Sequence, residues 1–216
     1  MGADMPRKED HKATPLSLRR GSTDSASVQR HYDAWADSYD QTLQQWQYQT
    51  PNQISALLQP GMRLLDVGCG TGLLGRALRD HGDYQIDGID ISPDSLTLAR
   101  QSGDYAQLLQ HDLQSLPLPV SAGCYDGAAC VGVLTYIEDG EALLRDLCRG
   151  VRPGGVIAFS QRSDLWQDRD FPGLIGRLQR DQLWIPQHIS KPRPYLPGNE
   201  DFAEEIKVIL TLCRRG

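Results

Sequence analysis

The stretch Leu64-Leu65-Asp66-Val67-Gly68-Cys69-Gly70-Thr71-Gly72-Leu73-Leu74-Gly75 decides the fold. It reads as a short apolar strand, a turn with glycine at alternate positions, and the start of a helix with Leu73, Leu74, Ala77 and Leu78 on one face. Outward from it, the chain alternates between strands and helices. Further strands are expected at Tyr84 to Ile91, near Ala106 to Gln110, at Gly127 to Val133 and at Val156 to Ser160. Ser92-Pro93-Asp94 offers an N-cap, a proline at the first helical position and an acid in the first turn, and Gly103 closes that helix. Leu143, Leu144, Leu147, Cys148 and Val151 mark the inward face of a later helix. Parallel neighbours need a crossover connection, so this alternation predicts a parallel sheet covered on both faces, a doubly wound α/β domain.

The two ends of the chain read differently. Residues 1–27 are polar, mixed in charge and rich in Ser, Thr and Pro, a composition expected of a flexible tail. From Val28, the residues Tyr32, Trp35, Ala36, Tyr39 and Leu43 recur at helical spacing, and a short helix near Gln53 to Leu58 stops at Pro60-Gly61. Residues 28–59 are therefore set apart as an N-terminal helical lid, and 60–216 as the main domain. Near the C-terminus, Phe171 to Trp184 looks helical. Ile185 to Pro197 holds Pro186, Pro192, Pro194 and Pro197, and Ile206 to Cys213 is a β-branched run. Proline at that density cannot occupy a central strand, so the last two strands are read as an edge hairpin, antiparallel at the final strand.

Composition narrows the function. The chain has 216 residues, enough for one domain, and a net charge of −6, the wrong sign for a surface that binds nucleic-acid phosphates. Its five cysteines include no C-x-x-C pair, which disfavours a zinc framework or a disulfide scaffold and fits a cytoplasmic setting; no metal is expected. The sequence has no apolar run near the ~18 residues of a membrane span, and Pro6 stands where a myristoylation signal needs Ser or Thr, so no membrane partner is expected.

The turn itself constrains its ligand. Counted from Gly68, the dinucleotide pattern G-x-G-x-x-G needs glycine at position 73, where the chain has Leu73; the pattern is G-x-G-x-G. Asp66, at the strand's end, would repel a pyrophosphate. A ligand without phosphate and with a cationic end, such as S-adenosylmethionine, makes that carboxylate favourable instead. Asp90 ends the second strand twenty-two positions past Gly68, near the ~20-residue spacing at which an acid accepts from ribose hydroxyls. Asp112 follows the third strand, so three successive strands end in acids.

The segments LLDVGCGTGLLG, GIDIS, HDLQSLP, YDGAACVGVLTYI and VRPGGVIAFS, over roughly residues 60 to 160, resemble the successive motifs of class I S-adenosylmethionine-dependent methyltransferases. Upstream, Tyr32-Asp33-Ala34-Trp35-Ala36-Asp37-Ser38-Tyr39-Asp40 resembles a helix that precedes many small-molecule methyltransferase domains. With Gln47-Tyr48-Gln49-Thr50-Pro51 and Tyr195-Leu196-Pro197-Gly198-Asn199, the chain looks similar to the methyltransferase-like family of the Williams-Beuren syndrome chromosome region. The resemblance implies a Rossmann-like, seven-stranded, mostly parallel sheet with an antiparallel edge strand, and S-adenosylmethionine as cofactor. It places Asp66, Gly68 and Gly70, with Cys69 between the glycines, at the methionine end. It gives Asp90 to the ribose, Ile91 to one adenine face, Asp112 with Leu113 to the adenine edge, and the Val131 carbonyl to the ammonium. Tyr32 and Tyr39 would close over the methionine, with Trp35 left as core. Tyr136 and His188 are candidates to orient or deprotonate a nucleophile, and no catalytic residue is assigned.

After strand four the chain reads Val131-Gly132-Val133-Leu134, without the Asn/Asp-Pro-Pro-aromatic element of base methyltransferases, so a nucleic-acid acceptor is disfavoured. Ser160 to Leu183 is too short for an added substrate domain. The expected activity is methyl transfer to a small-molecule acceptor with an O or N nucleophile. The alternatives are a cofactor-binding protein with little turnover, or a protein methyltransferase. Nothing in the sequence sets the oligomeric state.

Overall fold

A computed structural model describes residues 21–203 and 205–216. Most of the expected tail, residues 1–20, lies outside the described residues. Its last part does not read as tail: helix α1 spans Ser25–Gln45, three residues earlier than the apolar periodicity indicates. The Asp24 carboxylate accepts from the Ser27 N–H at 2.9 Å and caps it. Helix α2, Thr50–Ser55, likewise starts before the expected Gln53, with Pro51 in its first turn.

The central sheet is built from β1 (Arg63–Val67), β2 (Gln85–Asp90), β3 (Tyr105–Gln110), β4 (Tyr125–Cys130), β5 (Val151–Arg162), β6 (Trp184–Ile189), β7 (Arg193–Pro194) and β8 (Lys207–Arg215). Its order is β3-β2-β1-β4-β5-β8-β6, with the two-residue β7 also paired to β8. The strands from β3 to β5 run parallel to one another. The reversal of order about β1 makes this a doubly wound sheet, whose ligand crevice lies at the C-terminal ends of the strands.

Strand β8 is antiparallel, but it lies one place in from the edge. It pairs with β5 from Val156↔Arg214 to Arg162↔Val208 on one side and with β6 on the other. The edge belongs to β6 and β7, which carry the prolines. Pro186 needs no donor on its open side, and the register shifts between Pro186 and His188.

Helices α3 (Leu73–Arg79), α4 (Pro93–Ser102), α5 (Gly140–Gly150), α6 (Ser163–Asp168) and α7 (Phe171–Arg180) complete the layers. Alternate residues of β1 serve opposite cores. Leu65 and Val67 join the α5 and α7 side with Leu143, Leu147 and Leu174, and Leu64 joins the α2 and α3 side with Ile54, Leu74 and Leu78. Each such leucine contributes about 1.5 to 3 kcal/mol of burial, so both faces are anchored. Caps fix the helix ends: Ser92 Oγ accepts from the Ser95 N–H at 3.0 Å, and Gly103 ends α4 at φ 74°. A third cluster joins Trp35 and Leu43 of α1 to Leu196, Phe202 and Ile206, laying α1 against the late segment.

Candidate cofactor and acceptor site

The glycine turn between β1 and α3 is held tightly from within. The N–H groups of Gly68 and Cys69 both donate to the Ile89 carbonyl, at 2.7 and 3.0 Å. Gly70 N–H donates to Asp90 Oδ2 at 2.7 Å, and Gly72 N–H to the Cys69 carbonyl at 3.0 Å. Gly68 has φ +74°, and a Cβ there would sit 2.2 Å from Val133 Cγ2, so no other residue fits. At Gly70, φ is +52° and a Cβ would meet nothing within 4 Å, because that side of the backbone opens on a cavity. These four donors are spent on the protein, which leaves them none to offer a pyrophosphate.

Two adjoining cavities flank the turn. The larger is a cleft of about 630 Å³ counted out to its mouth, within the range of small-molecule sites. Tyr32, Tyr39, Gly68, Gly70, Asp90, Ile91, Asp112, Leu113 and Val131 line it. Asp66 and Cys69 line the second, which shares Tyr39, Gly68, Gly70 and Val131 with the first. The structure thus brings every residue singled out by motif onto one continuous surface. Gln114, Tyr48, Ser25 and Val28 also line these cavities; Gln114 and Tyr48 lie within motif segments, but the sequence assigned none of the four a place in the site.

The acids are not equivalent. Asp90 is 9% exposed and fixed by two backbone donors, Gly70 to Oδ2 and Ser92 to Oδ1 at 2.9 Å. Burial raises its pKa, and those bonds oppose the rise. Asp66 is 1% exposed and more enclosed than a ligand-facing carboxylate at a strand end. Its Oδ2 accepts from the Tyr105 hydroxyl at 2.7 Å. Burial pushes its pKa up to about 7, the Tyr105 bond opposes this, and the charge of Asp90 adds to it. A cationic ligand end beside these two buried acids would be favourable. This donor set and the open cradle at Gly70 fit S-adenosylmethionine.

Tyrosines close the other side. Tyr32 meets Tyr39 at 5.9 Å between ring centroids and Tyr136 at 5.7 Å, and Tyr48 meets Tyr195 at 5.6 Å. Burial raises all five phenols, so near neutral pH they are donors or acceptors and not bases. Trp35 is buried among them at 6% exposure. His188, a candidate from the sequence to orient or deprotonate a nucleophile, instead lies exposed on edge strand β6 and lines neither cavity.

α1 is tied down by acids beside its tyrosines. Asp40 accepts from Thr71 Oγ1 and pairs with Arg76, and Asp33 accepts from Ser92 Oγ at 2.5 Å. At its N-terminus, Gln114 Nε2 donates to the Thr23 carbonyl at 2.7 Å and to Ser25 Oγ at 2.9 Å. Gln114 Oε1 accepts from the Glu138 N–H at 3.0 Å, so one side chain joins three segments at the rim.

Residues 65–159 match the methyltransferase domain family. Over 176 residues the chain is 32% identical to methyltransferase-like protein 27 of Homo sapiens, covering 76% of this chain and 71% of that protein. The chain belongs to the class I S-adenosylmethionine-dependent methyltransferases. A second relative of this methyltransferase is the ubiquinone biosynthesis O-methyltransferase of Idiomarina loihiensis, 33% identical over 153 residues, 65% of this chain and 58% of the relative. Among solved structures, the magnesium protoporphyrin IX methyltransferase of Synechocystis PCC 6803 with bound S-adenosylhomocysteine shares the fold. Its TM-score is 0.64 at 18% identity, over 89% of this chain and 100% of that one. No helix among the described residues is long and apolar enough to cross a membrane.

Proposed function

We propose that this methyltransferase acts on a small-molecule acceptor with an O or N nucleophile, with α1 as a lid over the cofactor. The observation that carries the reading is the turn whose donors are spent internally beside two buried carboxylates. When bound, S-adenosylmethionine supplies an electrophilic methyl group on a sulfonium. In this reading Asp90 accepts from the ribose hydroxyls, because each of its oxygens keeps a lone pair beyond its backbone bond. Ile91, Asp112 and Leu113 hold the adenine, and Asp66 with the Val131 carbonyl faces the ammonium. Tyr32 and Tyr39 cover the methionine and exclude water. The sulfonium charge is spread out in the transition state, cancelled by an anionic acceptor or passed to a neutral one that then sheds a proton, so positioning and a dry cleft supply most of the acceleration.

The acceptor reading has two supports. The segment between β5 and β6 forms only the short helices α6 and α7, which add no substrate domain. A relative is also named as an O-methyltransferase. Calorimetry with S-adenosylhomocysteine and NAD tests the cofactor: the first should bind and the second should not, and the reverse would end the proposal. A turnover screen with labelled donor against amine, phenol and carboxylate pools tests the acceptor. The raised phenols and the absence of histidine from the lining of both cavities favour a second reading, cofactor binding without efficient transfer. Binding with no turnover across all pools would select it.

A further inference from the structure

Arg169 lies outside both cavities, in the turn between α6 and α7, yet its guanidinium holds one wall of the larger one. Its Nη1 donates to the carbonyls of Leu134 and Ile137, both at 2.9 Å, and its Nη2 to that of Thr135 at 3.0 Å. These carbonyls belong to the single 3₁₀ turn Leu134–Tyr136 after β4 and the residue that follows it. So short a turn satisfies few of its own groups; the internal bond from the Ile137 N–H to the Leu134 carbonyl is long, at 3.4 Å. A planar guanidinium with five donors is suited to gathering several carbonyls at once.

The same turn builds the cleft. Gly132, Val133, Tyr136 and Ile137 line it, and the Tyr136 ring meets Tyr32 of α1 edge-on, their planes at 89°. Other side chains reach residues 132–138 with one bond each: Gln114 Oε1 accepts from the Glu138 N–H, Gln161 Oε1 from the Thr135 hydroxyl at 3.3 Å, and Ser160 Oγ from the Gly132 N–H at 2.9 Å. Arg169 supplies three. We infer that Arg169 is a positioning residue: by fixing these three carbonyls it sets Tyr136 against Tyr32 and so shapes the cofactor cleft from outside. The inference rests on reading the cleft as the cofactor site. It differs from a structural clamp in one respect, because it makes ligand affinity depend on Arg169 through Tyr136.

The test uses the full chain, with S-adenosylhomocysteine titrated by calorimetry into the parent, Arg169→Met, Arg169→Lys, Tyr136→Ala and the Arg169→Met/Tyr136→Ala double variant. Arg169→Met should bind about tenfold more weakly, a size typical of coupling through a packed network. Arg169→Lys should fall between, since an ammonium reaches fewer carbonyls. The double variant should be no weaker than the weaker-binding single variant, because both remove one unit. As a control, Arg177→Met removes a nearby arginine held by Glu141 and Asp170, and should bind as the parent does. Parent-like affinity in Arg169→Met, or losses that add in the double variant, would overturn the inference. If Arg169→Met does not fold, the same cycle is read with Arg169→Lys. If the parent itself fails to bind, the cofactor reading has failed. Hydrogen exchange over residues 28–36 then decides, with lost protection around Tyr32 in both Arg169→Lys and Tyr136→Ala upholding the positioning role and unchanged protection rejecting it.

Discussion

Asp90 is the residue on which cofactor affinity should depend most. Each charge-assisted hydrogen bond it loses costs about 1.5 to 3 kcal/mol, so Asp90→Ala should weaken S-adenosylhomocysteine at least about tenfold. Asp90→Asn keeps one carbonyl acceptor and should fall between. Calorimetry on variants shown to be folded by circular dichroism makes the measurement, and parent-like affinity in Asp90→Ala would remove the ribose assignment. The place of this acid was legible because strand ends and glycine spacing are local in sequence. Tyr105 and Gln114 were not. Tyr105 reaches Asp66 across thirty-nine positions, and Gln114 reaches Thr23 across ninety-one, contacts that only the assembled sheet creates. For α1, the missed start had a local signal, Asp24 three residues before Ser27.

At the scale of elements, α1 is the part whose behaviour should change with ligand. It spans 21 residues, about 31 Å, and presents Tyr32 and Tyr39 to the cleft while Asp33 and Asp40 tie it to α4 and the glycine turn. Contacts shared between protein and ligand predict that residues 28–43 exchange amide hydrogens more slowly at saturating S-adenosylhomocysteine. Equal protection with and without ligand would leave α1 as plain core packing. The sequence alone predicts that a chain beginning at Val28 binds normally. The structure reverses that expectation, because such a chain loses the Asp24 cap, the Ser25 lining and both Gln114 bonds to residues 23 and 25. Its affinity should fall, and Gln114→Ala should reproduce part of the fall in the full-length protein. The caps of α4 and the apolar face of α5 were readable in advance since propensity and periodicity act within a few residues. The insertion of β8 between β5 and β6 was not, because strand order is decided by tertiary packing.

For the whole molecule, the buried acids link stability, ligand and pH. Asp66 is pushed up to about 7, against an ordinary carboxylate near ~3.9 in the unfolded chain. Between those values the folded protein keeps a proton that the unfolded chain has released. The contribution of Asp66 to the stability of the ligand-free protein is therefore lost as pH rises from about 4 to about 7 and levels off above, while His31, lowered by burial, contributes with the opposite sign below the ordinary histidine range. Tyr105, Asp90, Cys69 and Cys130 are the titratable groups that interact with Asp66; Asp90 is itself raised, so it adds to the same slope. If the ammonium of the ligand meets Asp66 as proposed, binding ionises Asp66 and releases its proton, so affinity should rise with pH through the same window. Ligand at about 100 times its dissociation constant stabilises by about 2.7 kcal/mol, roughly 5 to 11 °C in Tm for a chain of this size. Thermal scans at about pH 5.5 and about pH 7.5 with the same ligand concentration should show the larger shift at the higher pH. NAD should produce none at either. Asp66→Asn should remove the part of the pH dependence due to Asp66 and leave the part due to Asp90. A parent protein whose ligand-induced shift is the same at both pH values would mean that no cation meets Asp66 in the complex, and the orientation proposed for the methionine end would have to be reversed.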